Sequence, residues 1–233
     1  MKKLFTAIRK GDATTVTVLL DKKPELIACT AKAPPKKDAG QSPLQVAIKS
    51  GNATIAHLLL DRGADVNFME AEDCGNDWRM PVVQDAIRAA VMCTRSNSHW
   101  PDGYHVFHTQ EQADEAFALL ERIVNLGADL TAKDSGGSSA LDRALLDTKQ
   151  VLPSFRYDEQ RYVENRRFTP ELESDLQRIF ALLLNASPNV TQHIIAPDSK
   201  ETLAMKFLLD NGGLHYQAHR YDAECRKWLP LDD

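Results

Sequence analysis

The chain has 233 residues, of which 43% are hydrophobic, and a net charge of −5. This is enough apolar material for one soluble domain with a continuous core. No stretch approaches the roughly 18 consecutive apolar residues of a membrane span. Arg9 and Lys10 interrupt the apolar run after the first residues too early for a secretory signal peptide. We therefore expect a cytoplasmic protein without membrane contact, although secretion by another route stays open.

Cysteine spacing and charge distribution indicate whether disulfides form and which kind of partner the chain attracts. Four cysteines are widely spaced without a C-x-x-C pair, which predicts reduced thiols and no disulfide framework: Cys29, Cys74, Cys93 and Cys225. Residues 1–50 carry ten basic and four acidic side chains, a balance of +6, whereas the remainder carries −11. Such a bipolar molecule can orient an encounter with a charged partner. The small basic region of an otherwise acidic chain argues against nucleic-acid binding.

Two short helices are predicted at the start of the chain, and their pattern recurs. Leu4–Gly11 aligns with Leu44–Gly51 at an offset of 40, and Val18–Asp21 aligns with Leu58–Asp61 at the same offset. The connection that follows, residues 30–39, is long and rich in lysine and proline. A recurring helix pair indicates a repeat architecture.

The second copy, Gly40–Phe68, is the most regular. Ser42 is placed to cap a helix with Pro43 at its first position, and Gly51 ends that helix. A second helix follows and ends at Gly63. Apolar residues recur at helical spacing in both helices: Leu44, Ala47, Ile48, Ile55, Leu58 and Leu59. This stretch closely resembles an ankyrin repeat.

Further copies are predicted downstream, with insertions. Val83–Ile87 matches the first helix at offset 39, but Ile123–Leu130 matches the second at offset 64, an insertion of 25 residues. The fourth copy begins at offset 97 and ends at offset 124, an insertion of 27. The resemblance implies an all-α ankyrin-repeat solenoid of four to five helix-turn-helix repeats with β-turn fingers. Its approximate bounds are 1–39, 40–77, 78–133, 134–196 and a C-terminal cap at 197–233, with insertions at 93–112 and 148–170.

The resemblance also implies where a partner binds, because ankyrin proteins generally use the concave face formed by fingers and first helices. At that face the first three repeats offer a basic ladder: Arg9, Lys10, Lys49 and Arg88. We expect an acidic protein partner there. On this hypothesis, Lys49→Glu with Arg88→Glu weakens binding and leaves stability nearly unchanged. The alternative is that these cations end helices because they suit the negative end of the helix dipole.

Aromatic residues supply further candidates. Trp78, on the second finger, either anchors a partner or folds down onto the adjacent repeat. The two insertions hold seven of the 16 aromatic residues, and stacking of repeats is expected to place them side by side. They either pack as a small core or form a second recognition surface, for which the candidates are Trp100, Tyr104, Tyr157 and Arg161. Helices are expected to follow each insertion, at 110–126 and 170–185, the first with a Thr109–Gln112 capping box.

No catalytic or cofactor motif is present in the sequence: there is no nucleophile elbow, phosphate-binding loop, H-E-x-x-H or dinucleotide fingerprint. The nearest to a metal-binding set is His99, His105 and His108 with Cys93. We therefore expect a non-catalytic, monomeric protein-recognition module without cofactor or metal. The alternatives are a bacterial effector, a toxin-neutralising immunity protein, a structural subunit of a homo-oligomer, and a metal-dependent enzyme that uses the histidines.

Overall fold

A computed structural model describes residues 1–153, 155–158, 161–186, 219–222 and 227–230, with side chains described for residues 1–153 and 165–186. The chain divides into two compact units. Unit 1 comprises residues 1–90 and 114–143, and unit 2 comprises residues 91–113 and 144–233.

Eight α-helices lie within the described residues, and they occur in sequence as four pairs. Their bounds are α1 Lys2–Arg9, α2 Ala13–Lys22, α3 Pro43–Lys49, α4 Ala53–Asp61, α5 Val82–Met92, α6 Gln110–Asn125, α7 Ala140–Thr148 and α8 Pro170–Ala186. Short 3-10 turns at Pro24–Ala28 and Lys36–Asp38 lie in the first connection. The bounds predicted for α6 and α8 agree with the structure to within one residue.

The helices begin where the sequence predicts. Ser42 accepts a hydrogen bond from the Gln45 amide, and the Gln45 side chain accepts one from the Ser42 amide, which completes a capping box ahead of Pro43. The Thr109 and Gln112 pair makes the same reciprocal contacts before α6. These caps satisfy amides at the helix start that have no partner within the helix.

In unit 1, helix pairs stack on one another. Helix α1 packs on α2 and α3, while α4 packs on α2 and α3. The Gln45 side chain on α3 reaches Asp85 of α5, and Arg122 of α6 reaches His57 and Asp61 of α4. First helices therefore neighbour first helices, and second helices neighbour second helices. The core between them is aliphatic and fully buried, with Leu4, Ile8, Leu20, Leu44, Ile55, Leu59, Ile87, Leu120 and Ile123 at its centre.

Polar side chains also tie neighbouring repeats of unit 1 together. Asn52, just before α4, donates to the Ile8 carbonyl in the last turn of α1, at 2.8 Å. Gln45 donates to the Met80 carbonyl at 2.9 Å. Gln84, which stands 39 residues further on at the equivalent repeat position, donates to the carbonyls of Ala132 and Ser138. Equivalent glutamines thus hold α3 and α5 to the connection that follows each of these helix pairs.

Three antiparallel hairpins also lie within the described residues. Strands β1 (Asn97–Trp100) and β2 (Gly103–Val106) pair, as do β3 (Phe155–Asp158) with β4 (Arg161–Glu164), and β5 (His219–Asp222) with β6 (Lys227–Pro230). The first two lie in the segments 93–112 and 148–170, which the sequence predicts as insertions without assigning strands to them. The predicted cap at 197–233 contains the third hairpin, and its remaining residues lie outside the described ones.

Unit 2 is organised around a buried carboxylate. Asp175 on α8 is 1% exposed and accepts bonds from the backbone amide and guanidinium of Arg95, at 2.9 to 3.0 Å. Arg178 adds a contact at 3.2 Å. Two guanidinium groups and a backbone amide compensate the desolvation of this carboxylate. The chain immediately before the first hairpin is thereby fixed to α8.

A close approach of two fingers in unit 1 yields a stability prediction. Gly40 has φ +82°, and a Cβ added there would lie 2.3 Å from the Cys74 Cβ. Gly40→Ala is therefore expected to lower the free energy of unfolding by roughly 2–4 kcal/mol, from backbone strain plus overlap. Gly63→Ala is the matched control, because Gly63 has φ +79° with no atom within 4 Å. Equal losses for the two variants in urea denaturation would contradict the overlap.

Candidate partner-binding surface

The predicted basic ladder lies on the first helices of unit 1. Arg9 ends α1, Lys10 follows it, Lys49 ends α3, and Arg88 lies in the exposed part of α5. Lys10 and Arg88 are exposed, whereas Arg9 is half-buried. The four cations are therefore accessible to different degrees.

Arg9 is engaged within the chain. Its guanidinium contacts the Asp38 carboxylate at 2.6 Å, and the Asp38 side chain is only 7% exposed. This bond joins the end of α1 to the first finger, residues 29–41. The finger is also closed at its base, where the Ala31 amide donates to the Gln41 carbonyl and the Gly40 amide donates to the Ala31 carbonyl, both at 2.8 Å. Arg9 therefore positions the finger as well as contributing charge.

Lys49 faces a fully buried carboxylate of unit 1. Its ammonium lies 3.3 Å from Asp85 Oδ1, and the Asp85 side chain is fully buried while that of Lys49 is 35% exposed. Gln45 donates to the other carboxylate oxygen at 3.1 Å. Burial raises the pKa of Asp85 to about 7, against the opposing effect of Lys49, and nearby Glu70 raises it further. This ion pair argues against the expectation that Lys49→Glu leaves stability nearly unchanged, because the new carboxylate would face Asp85.

Trp78 combines features of both predicted roles. Half of its surface, 51%, is exposed. The ring lies over Gly136, where an added Cβ would meet it at 2.9 Å, and the Arg143 guanidinium lies 5.5 Å from the ring centroid. Arg143 also pairs with buried Asp134 at 3.1 Å. Trp78 thus contacts the next finger and Arg143, while about half of its surface stays exposed to solvent.

The first hairpin of unit 2 carries Trp100 and Tyr104. Trp100 is 53% exposed and makes an edge contact with His105. Tyr104 is half-buried between His99, in a T-shaped contact, and Arg167, whose guanidinium lies 4.1 Å from the ring centroid. Of the two aromatic candidates, Tyr104 is a packing residue and Trp100 is available at the surface.

Contacts between the two insertions within unit 2 are polar. The His99 amide donates to the Asn165 carbonyl at 2.8 Å. Asn97 exchanges two bonds with the backbone of Arg167, at 2.8 and 2.9 Å. The segment after β4 therefore lies against the first hairpin. Tyr157 and Arg161 belong to β3 and β4, in register with Tyr162 and Asp158 respectively, and their side chains lie outside the described ones.

The histidines considered as metal ligands, His99, His105 and His108, form no metal site among the described residues. His105 bonds Asp102 at 2.8 Å, and His99 packs on Tyr104. Within residues 1–153 and the other described ranges, no group of three histidine, cysteine, aspartate or glutamate side chains is arranged to hold a metal ion. Among the same residues, no helix combines the length and apolar character needed to cross a bilayer.

The stacked helix pairs at the start of the chain coincide with a family match. The family model for ankyrin repeats (3 copies) matches residues 2–70. Residues 2–70 carry ankyrin repeats. The matched region contains α1 to α4, the stacked pairs of unit 1. No curated protein matches the chain in sequence. Ankyrin repeats generally mediate protein–protein interaction, and the family is typically non-catalytic.

Sequence analysis missed the buried charges of unit 1, although a signal for them exists. Asp85 and Arg143 both align with Val46, an apolar core position of the most regular repeat. All three are buried, at 2%, 6% and 1% exposure. A charged residue at a position where the regular repeat has valine indicates a buried ion pair. This pattern would have predicted an oppositely charged partner for both Asp85 and Arg143.

Proposed function

We propose that this chain is a non-catalytic protein-recognition module whose N-terminal ankyrin repeats bind one acidic protein partner. The observation that supports it is the joint presence of the ankyrin match at 2–70 and a cluster of exposed cations on the same region. Lys10 has no ion-pair partner among the described residues, and neither do Lys2, Lys32, Lys36 and Lys37. Their charge is therefore available to a partner, whereas that of Arg9 and Lys49 is largely used within the fold.

The first hairpin of unit 2, strands β1 and β2, is proposed as a second site of contact with the protein partner. Trp100 is exposed, and exposed tryptophan is typical of interface hot spots. We further propose four helix-pair repeats, with the third and fourth elaborated by the hairpins, followed by a C-terminal cap. A cytoplasmic, monomeric protein fits the thiols of Cys29, Cys74 and Cys93, which form no disulfide.

An affinity capture from source-cell lysate tests the function. Wild type is compared with Lys10→Glu combined with Arg88→Glu, both at exposed positions. The partner's affinity is expected to fall by about tenfold or more, and the loss to shrink at high salt, because exposed charges act through screened attraction. Mass spectrometry identifies the partner, and titration calorimetry with the purified partner gives the affinity.

The matched control is Lys22→Glu combined with Lys23→Glu, which makes the same charge change at exposed positions at the end of α2. Equal loss in both double variants would show a general charge effect and contradict a defined basic face. A partner absent from the source cell but captured from a foreign lysate would identify the effector or toxin-neutralising version of the same function.

A further inference from the structure

A pocket lies between α1 and the first finger of unit 1. We propose that it anchors an apolar side chain of an acidic peptide segment whose flanking carboxylates pair with Lys2 and Lys32. This inference rests on the proposed protein-recognition function and names the partner chemistry of its first contact. The pocket has a volume of about 340 Å³, which lies at the lower end of the range for ligand sites.

One wall of the pocket is a face of α1. Lys2, Phe5 and Arg9 recur there at helical spacing, and all three line the cavity. The opposite wall is the finger segment 31–34. Because the Arg9–Asp38 ion pair and the two backbone bonds at Ala31 fix that finger, the walls are held apart without a ligand. The pocket is therefore preformed, which lowers the entropic cost of binding.

The floor and the rim of the pocket differ in chemistry. Phe5 and Ala31 are 3% and 4% exposed and give the pocket an apolar floor. Lys2 and Lys32 are exposed at the rim, and neither has an ion-pair partner among the described residues. An apolar floor between two available cations complements an apolar group with negative charge on either side. A peptide with leucine or phenylalanine between acidic residues has this arrangement, and a peptide with basic flanks does not.

The surrounding charge favours the same ligand. Residues 1–50 have a balance of +6, and Lys36 and Lys37 lie on the same finger beyond the pocket. An acidic segment is therefore attracted to this end of the molecule before its apolar side chain is placed. The apolar floor then distinguishes it from acidic peptides that lack an apolar residue.

Fluorescence polarisation with a short labelled peptide tests the inference. The probe has a central leucine flanked on both sides by glutamate, and a second probe has serine in place of leucine. Wild type is expected to bind the leucine probe about tenfold or more tightly than the serine probe. Two variants are expected to weaken leucine-probe binding by a similar factor: Lys2→Ala combined with Lys32→Ala, which removes the rim charge, and Ala33→Trp, which fills the pocket from an exposed position.

The matched control is Lys36→Ala combined with Lys37→Ala, which removes the same charge from the same finger outside the pocket and is expected to retain most of the affinity. Unchanged unfolding midpoints verify that all variants fold. The inference is overturned if wild type does not bind the leucine probe saturably, if it binds the serine probe equally well, or if both pocket variants bind like wild type. Octanoate that binds wild type as tightly as the leucine probe would assign the pocket to a small amphipathic anion and overturn the peptide assignment.

These outcomes are distinguishable from failure of the proposed function. If lysate capture yields a partner that the pocket variants retain in full, the pocket inference fails and protein recognition by the repeats stands. If the leucine probe binds in the pocket but no partner is captured from any lysate, the inference holds as a property of the isolated surface.

Discussion

Lys49→Glu is expected to lower the free energy of unfolding by about 1–2 kcal/mol at pH 7.5, because Asp85, whose pKa is already about 7, takes up a proton once its cation is removed and so limits the cost of breaking the pair. The wild-type ammonium lies 3.3 Å from Asp85, whose side chain is fully buried. Glutamate would place a second carboxylate beside it and leave Asp85 with Gln45 as its described polar contact from α3. Urea denaturation at pH 7.5 measures the loss.

Two further variants separate this effect from a change in surface charge. Lys10→Glu makes the same charge reversal at an exposed position without a described ion-pair partner, and a change within about 0.5 kcal/mol is expected. In an Asp85→Asn background, Lys49→Glu is expected to cost much less, since the carboxylate that it would oppose is gone. A full loss in that background would show that the Lys49 stem, and not its charge, stabilises the repeat.

Stability that declines as the pH rises from about 4 to about 7 is the second expected result, and Asp85 is its source. The pKa of Asp85 is raised from 3.8 to about 7 in the folded chain, chiefly by burial, with Lys49 opposing the shift and Glu70 adding to it. Between these values the folded state retains a proton that the unfolded state has released, so the free energy of unfolding falls as pH increases. The full change is on the order of 4 kcal/mol, and it is complete above the folded pKa.

Asp85→Asn isolates this contribution from the other titrating groups. Asparagine resembles the protonated acid in shape and does not titrate, so the variant is expected to lose the decline between pH 4 and 7. Carboxylates with lowered pKa, such as Asp12 and Asp129, act in the opposite sense below pH 4 and remain in both proteins. Unfolding free energies from urea melts at half-unit pH steps give the comparison. Parallel curves for wild type and variant would assign no pH dependence to Asp85.

The first two helix pairs could be predicted from sequence because their signals are local. The Ser42–Gln45 capping box and the apolar spacing of α3 depend only on neighbouring residues, and the structure reproduces both. The buried charges could not be predicted from local pattern alone. Lys49 and Asp85 are 36 residues apart, and their pairing follows only once α3 and α5 are known to be neighbours.

The first hairpin had a local signal that the repeat alignment obscured. Pro101 and Asp102 stand before Gly103 between two runs that read as strands, which is typical of a turn. Matching the flanking helices to ankyrin repeats assigned the intervening residues to an insertion, without strands. The second hairpin lacks such a signal, because Glu159 and Gln160, which separate its two strands in the sequence, are not characteristic turn residues. Prediction of the binding site is limited by contacts between residues far apart in the sequence. Which cations remain available to a partner depends on ion pairs that the sequence alone does not reveal.

The hydrogen bond from Asn52 to the Ile8 carbonyl affects whether repeats can be removed from this array or replaced. A helix terminus in one repeat is satisfied by a side chain that belongs to the next. Excising the second helix pair would therefore remove the donor as well as the apolar surface that α1 and α2 pack against. Grafting a foreign repeat in its place would succeed only if asparagine, or another donor of equal reach, were retained at that junction. These repeats are thus not interchangeable. Shortening the array or exchanging a repeat has to preserve the residues that form hydrogen bonds between neighbouring repeats.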